Sequence, residues 1–406
     1  MARRSRGLIG IAALVTVAAV ACSSGSSGGS SPSTTKTIKI GLLTDVTGLA
    51  ASGEQHIQDG VKAGIYAAGQ DGYHIQYVVA DSQTSPSAVL SAAQKLVNQD
   101  HVQAVIASSA LTFGAAPWLA AHHIPVVGAA IDGPEWAKYA NMFSVNGPID
   151  TTKVTTLGGD FFKLVGGTNV GSLGYAISPT SAESAKATAI SAEHAGLKAG
   201  YVNAAFPFGS TNVQPIAIAM KNKGIDSLAP QVDPNTSFAL ITALRNEGVD
   251  LKAALLPIGY GGDLLDAGPG EKQAAQGVYF TVFFQPIEMD TPGTKSFLAN
   301  LKASGGTQTP SQPTYTGYVS VLLLEAGLKN AGANPTSTSI LNGLTKVTSF
   351  DAGGLANAPY NPRNLADVSG PNNCEYTVKF VGDAFQLVKG ADPICGTVIP
   401  GETVSG

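Results

Sequence analysis

From Ile38 onward, short apolar runs alternate with stretches in which apolar residues recur every three or four positions. "IKIGLL" (38–43) is the first run. "EQHIQDGVKAGIYAAG" then sets Ile57, Val61, Ile65 and Ala68 on one helical stripe. "HIQYVVA" (74–80) predicts a strand, and "SAVLSAAQKLV" (87–97) a helix with Val89, Ala93, Leu96 and Val97 facing inward. "VQAVIA" (102–107) and "IPVVGAA" (124–130) predict two more strands, with a helix over Phe113–Ala121 between them. Pro117 falls early in that helix, where a missing N–H does least harm.

The rhythm restarts near Asn146-Gly147-Pro148. A helix at about 151–165, the strand "NVGSLGYAI" (169–177), a helix at 180–195 and the strand "KAGYVNA" (198–204) follow. A helix near 213–223 carries Ile216 and Met220 on one stripe, and "FALITALRNEG" precedes the strands "KAALLPI" and "GVYFTVFF". After Phe284 the pattern gives helices: "TKSFLANLKASG", "TYTGYVSVLLLEAGLKNAG" and "STSILNGLTKV". Of these, "VSVLLLEAGL" is apolar almost all round and should be deeply packed.

Alternating strands and helices imply parallel sheets covered on both faces. The expected fold is α/β, two doubly wound lobes joined by a hinge of several crossings near 145–150, 282–288 and 346–352. Residues 37–147 would open the first lobe and 148–284 form the second. Residues 285–348 would return to cover the first sheet, and 349–406 would pack on the second lobe.

With 406 residues, 44% of them hydrophobic and 13% charged, the chain is long enough for two sizeable cores. Its start reads as a targeting signal, with the basic "MARRSRG" followed by the apolar "LIGIAALVTVAAVA". That assigns 1–21 to a signal peptide and leaves 21 bases against 28 acids beyond it, a net charge of −7. A mildly acidic chain without basic clusters argues against nucleic acid as a partner. Cys22 follows "AVA" in a stretch that resembles the lipobox of bacterial lipoproteins, with Ala19 where leucine is usual; the resemblance implies lipidation of Cys22. The alternative is an ordinary cleaved signal. "SSGSSGGSSPSTT" then forms a linker, placing 22–36 as anchor and tether with a reach of roughly 20 Å.

Two further cysteines, Cys374 and Cys395, bracket two alternating stretches around Gly382-Asp383 that read as a hairpin. In an exported chain they are expected to pair, contributing on the order of 3 kcal/mol; two free thiols are the other reading. Enzymatic chemistry finds no support. "GSSGG" (25–29) satisfies G-x-S-x-G, but no strand precedes it and no helix follows. No H-E-x-x-H occurs, and His122-His123 have no further ligand at metal spacing. No metal and no cofactor are expected.

"AVIASSALTFG" (104–114) carries the candidate chemistry. A buried run breaks into serines, a threonine and a glycine as the chain turns helical, which suits an oxygen-rich ligand at exposed backbone N–H groups. Caps on the following helix need the same residues.

Four segments together resemble the leucine/isoleucine/valine-binding family of type I periplasmic solute-binding proteins. "TGLAASGEQHIQDGVKAG" repeats its T-G-x4-G-x6-G-x2-A spacing, and "DSQTSPSAVLSAAQKLV" its D-x4-P segment. "SSALTFGAAPWLAAHHIPVV" is similar to its serine-rich loop, and "TYTGYVSVLLLEAGLKNAG" to its late helix. The resemblance implies a monomeric two-lobed receptor, outside the cytoplasm and tethered to the membrane by lipid. It would close on an amino acid or related small carboxylate or amide and present it to the permease of an ABC importer. A sensor of the same fold, coupled to a membrane signalling partner, is the alternative.

Carried over by position, the resemblance makes Ser108, Ser109, Leu111 and Thr112 the cradle of the ligand carboxylate. The next loop, "GAAIDGPEW", brings Ala130 and Asp132 to the ligand's amino group, although Asp132 could equally cap the turn at Gly133-Pro134. Tyr260 stands where the family has an acidic residue, with Asp263 three positions on, which puts a standard α-amino acid in doubt. Tyr260 and Phe283 are candidate aromatic walls. Ser178 or Thr180 would bond the ligand or cap a helix. Trp118, Trp136, Tyr315 and Tyr318 read as core.

Overall fold

Five short strands laid side by side in parallel make the first sheet of the computed structural model, which describes residues 37–405. In chain order this part runs β1 (Thr37–Thr44), α1 (Ile57–Gln70), β2 (His74–Asp81), α2 (Pro86–Asn98), β3 (Ala104–Ser108), α3 (Ala116–Ala121), β4 (Val126–Gly128), α4 (Glu135–Lys138) and β5 (Met142–Ser144). The spatial order is β2-β1-β3-β4-β5. Every residue of β3 and β4 is buried, as a sheet covered by helices on both faces requires.

The helix expected over 113–121 begins later. Thr112–Gly114 forms a 3-10 turn, and α3 starts only at Ala116 with Pro117 in its first turn. The one expected from Glu54 likewise starts at Ile57, after a 3-10 turn over Ala51–Gly53.

The chain then builds a second sheet. It runs through β6 (Lys153–Thr155), α5 (Leu157–Leu164), β7 (Asn169–Tyr175), α6 (Pro179–His194), β8 (Lys198–Phe206), α7 (Gln214–Asn222), β9 (Ser227–Gln231), α8 (Pro234–Asn246), β10 (Ala253–Leu256), α9 (Gly262–Leu265), α10 (Pro269–Ala274) and β11 (Tyr279–Val282). The helix read at about 151–165 is shortened because Lys153–Thr155 is extended and pairs with a strand from the far end of the chain. β9, "SLAPQ", is a central strand that the apolar pattern does not reveal, since Pro230 interrupts it.

α11 (Pro292–Ala303), α12 (Gln312–Lys329) and α13 (Ser337–Leu344) follow. α12 lies against α1, β3 and β4, so the chain has returned to the first sheet. The crossing of α1 and α12 is close: a Cβ on Gly60 would stand 1.9 Å from the Thr314 carbonyl oxygen.

β12 (Cys374–Val381) and β13 (Ala384–Leu387) then join the second sheet as an antiparallel hairpin beside β11, giving the path β13-β12-β11-β10-β9-β7-β8. β14 (Ile394–Cys395) pairs with β12, and β15 (Val398–Thr403) with β6. Cys374 and Cys395 are opposite each other in that pairing and are disulfide-bonded. Upstream of the hairpin, Arg363 donates to the Tyr139 and Met142 carbonyls, each at 2.7 Å. The C-terminal segment therefore touches both sheets. Cys22 and the signal segment lie outside the described residues. Among those described, no helix is long and apolar enough to cross a membrane.

Candidate functional site

Loops leaving the carboxyl ends of the strands of both sheets meet around one cavity of about 330 Å³. Ligands of doubly wound sheets bind at such ends. From the first sheet come Asp45 and Glu54 after β1, Ser108 and Ala110 after β3, Ala130 and Asp132 after β4, and Asn146 after β5. The second sheet contributes Tyr175, Asp233, Ile258 and Phe283 after β7, β9, β10 and β11. Gln312 and Thr316 at the start of α12 close one side. The cavity also extends between α5 and α6 and strands β9–β12, where Phe162, Leu255 and Glu375 line it.

Proline starts several of the helices that frame this space. Ser178 caps α6 and Asp233 caps α8, each followed by proline at the first helical position, with the cap side chain accepting the amide three residues on. Ser178 also donates to the Asp132 carboxylate, and the Thr180 amide donates to the Asp132 carbonyl at 3.4 Å. One loop of the first sheet thus touches one helix start of the second.

The serine-rich turn is already occupied by the protein itself. Ser109 Oγ donates to Asp45 Oδ1 at 2.7 Å, and the Ala110 amide to Asp45 Oδ2 at 2.8 Å. Ser82 Oγ donates to the same Asp45 oxygen that Ser109 uses. Ser108 Oγ donates to Glu54 Oε2 at 2.9 Å. A carboxylate does sit on these hydroxyl and N–H groups, and it belongs to the chain. Ala130 is engaged likewise: its amide donates to Asn146 Oδ1 at 3.0 Å, and Asn146 Nδ2 donates to its carbonyl at 3.1 Å.

Of the nine residues singled out by the resemblance, Ser108, Ala130, Asp132 and Phe283 line the cavity. Ser109 stands one layer behind it, and Ser178 reaches it through Asp132. Leu111 and Thr112 are buried away from it, the Thr112 hydroxyl donating to the Ser109 carbonyl at 2.9 Å. Here the turn folds onto itself. Tyr260 also lies outside the cavity lining. It is fully buried, packs on Phe385, and donates to Glu288 Oε2 at 2.7 Å. Asp263 is likewise buried outside the cavity, its carboxyl raised to about 7 by burial.

Asp45, Glu54, Gln312 and Glu375 were not singled out from the sequence. Asp45 directly follows a buried strand at its carboxyl end, the one position that could have drawn attention to it. Glu375 alternates with inward Cys374 and Tyr376, a pattern that ordinarily sends it to solvent.

Electrostatically the cavity is acidic. Burial, and then the charge of Asp45, hold Glu54 well above the usual carboxylate range. Burial raises Asp132 to about 6, with Asp45 adding to it and the Ser178 hydrogen bond opposing, and raises Glu375 to about 7. Among the described residues Lys153 is the only base lining the space, and its Nζ is 2.9 Å from Asp150 Oδ2. Among the described residues no group of three or more His, Cys, Asp or Glu is placed to hold a metal ion. His122 instead stacks on Trp118.

Two α/β sheets that face each other across a cavity at their strand ends define a solute-binding protein. The chain belongs to the periplasmic binding protein family, type I, of the leucine/isoleucine/valine-binding kind, whose model matches residues 37–378. No curated protein sequence matches it significantly. Solved structures share the fold at low identity. The branched-chain amino acid binding protein LivJ of Streptococcus pneumoniae, in complex with isoleucine, is 19% identical at a TM-score of 0.70, over 90% of this chain and 99% of that one. A leucine-binding protein LivK of Thermotoga maritima is 16% identical at 0.71, over 86% and 97%. A solute-binding protein of an R. palustris ABC transporter, in complex with benzoate, is 16% identical at 0.70, over 91% and 99%. These are substrate-binding proteins rather than enzymes, and the family's place is outside the cytoplasm.

Proposed function

We propose that the protein captures a small solute between two lobes and hands it to the permease of an ABC importer. Residues 37–147 with 285–348 form one lobe, and 148–284 with most of 349–406 the other. The carrying observation is the cavity of about 330 Å³ walled by strand-end loops of both sheets. Its size suits compounds on the scale of the isoleucine and benzoate held by the similar structures. Ser108, Ala130, Asp132 and Phe283 supply the wall against the solute. Lipidation of Cys22 holds the receptor at the outer face of the membrane, with 23–36 as tether.

Capture works by population shift. A solute touching both lobes favours the closed form, whereas one that touches a single lobe shifts nothing. Titrating candidate solutes while recording small-angle scattering and melting temperature tests this. Compaction together with a higher melting temperature is expected; tight binding with neither would overturn closure.

A further inference from the structure

The family resemblance leads one to expect a ligand carboxylate on the serine-rich turn. This chain places its own carboxylates there, Asp45 on the Ser109 hydroxyl and the Ala110 amide, Glu54 on the Ser108 hydroxyl. A ligand carboxylate entering the turn would find those donors taken and two carboxyl groups of the chain in its place. The second loop is closed in the same way, since Asn146 uses both backbone groups of Ala130.

What the cavity leaves open is acceptor capacity. Asp132 keeps one carboxylate oxygen beyond its bond to Ser178. The Gln312 side-chain carbonyl is buried against the cavity without any hydrogen-bond partner, an arrangement that costs stability until a donor arrives. Glu375 presents a further carboxyl where the cavity runs between α5, α6 and the second sheet, beside the apolar walls of Phe162 and Leu255. The lone lining base is neutralised by Asp150. Among the described residues no three of His, Cys, Asp or Glu are grouped as metal ligands.

We propose that the solute is a cationic amine with an apolar body and no free carboxylate, its charge balanced by the Asp132 and Glu54 carboxyls that line the cavity, with the Gln312 carbonyl as a further acceptor. This rests on the solute-capture reading and names its chemical class. An ammonium supplies donors to each open acceptor and lets the buried carboxyls keep their charge. The apolar body lies against Phe283 or in the branch lined by Phe162 and Leu255.

The test uses the full chain and matched pairs: phenethylamine against phenylalanine, 2-methylbutylamine against isoleucine, and benzylamine against benzoate. Calorimetry, melting temperature and small-angle scattering are recorded for each. At least one amine should bind at least tenfold more tightly than its acid partner, with compaction. Asp132→Asn and Glu54→Gln, each preserving shape and one acceptor, should each weaken that amine at least tenfold. Unchanged amine affinity in both variants would overturn the assignment. An acid that binds more tightly than its amine and compacts the protein would overturn the amine class while leaving capture intact. Absence of binding and of compaction across the whole panel would overturn both.

Discussion

Ser178 donates its hydroxyl to the carboxylate of Asp132, so that the start of α6 on the second sheet meets the loop leaving β4 of the first. The same oxygen caps α6 by accepting the Ser181 amide at 3.0 Å. Ser178→Ala therefore removes a cap, worth about 1 kcal/mol, and one of the bonds joining α6 to the loop after β4, leaving the Thr180 amide on the Asp132 carbonyl. Thr291→Ala is the matched control, because Thr291 caps α11 away from the cavity. Both variants should melt lower. Only Ser178→Ala should show a larger radius of gyration without solute; equal radii would mean that this bond does not hold the lobes together.

Thr112 and Tyr260 differ from Asp132 in a way that binding measurements will resolve. The Thr112 hydroxyl is spent on the Ser109 carbonyl, and Tyr260 donates to Glu288 while accepting the Ile287 amide at 3.2 Å. Neither lines the cavity. Thr112→Ala and Tyr260→Phe should leave solute affinity within about twofold. Tyr260→Phe should nonetheless lower stability by about 1–3 kcal/mol, since it strands a buried acceptor on Glu288. Chemical denaturation and calorimetry on the same samples separate the two effects.

The contrast shows what a sequence can and cannot reveal here. Period and spacing located the strands of both sheets wherever an apolar run was uninterrupted, as in "AVIAS" of β3 or "AALL" of β10. They missed β9, where Pro230 breaks the run although neighbours on both sides hold the strand in place. They missed β6, whose partner β15 lies at the opposite end of the chain and leaves no local trace. The resemblance named Ser108, Ala130 and Asp132, and position at a strand end named Phe283; all four line the cavity. Tyr260, named for the same reason as Phe283, faces the core instead, because direction across a turn decides which way a side chain points. Nor could strand-end position tell that Asp45 would occupy the Ser109 and Ala110 donors, a contact spanning more than sixty positions that only the paired strands create.

Gly60 and Thr314 mark the closest approach of α1 to α12. With a Cβ on Gly60 lying 1.9 Å from the Thr314 carbonyl oxygen and 2.8 Å from the Tyr318 nitrogen, the helices must separate. The obstacle is backbone, which no rotamer change relieves. Gly60→Ala should cost about 3 kcal/mol, against little for Gly69→Ala on the same helix, where nothing stands within 4 Å. α12 also carries Gln312 at the cavity, so the surviving folded fraction of Gly60→Ala should bind solute more weakly. Denaturation midpoints of the two variants provide the comparison.

Acid should stabilise this protein down to about pH 4–5 when no solute is bound. Burial raises Asp132 to about 6, and Glu135, Asp263 and Glu375 to about 7, and it holds Glu54 well up. In the unfolded chain all five titrate near 4. Between those limits the folded state keeps protons that the unfolded state has released, so stability falls as pH rises, with a slope of up to about 1.4 kcal/mol per pH unit for each group. Asp226 acts in the opposite sense. Burial pushes its carboxyl up, but hydrogen bonds from Thr168 and Asn169 and the nearby Lys252 outweigh it and hold it well below the usual range. Its contribution is present above about pH 4 and lost in stronger acid, which sets the lower edge. The melting temperature without solute should therefore decline from pH 5 to pH 8. An amine that needs Asp132 charged works against its burial and the nearby Asp45, and should bind more tightly as pH rises through about 6. The stabilisation it confers should grow over the range in which the bare protein weakens. A bare-protein melting temperature that climbs from pH 5 to pH 8 would contradict the buried-carboxyl account.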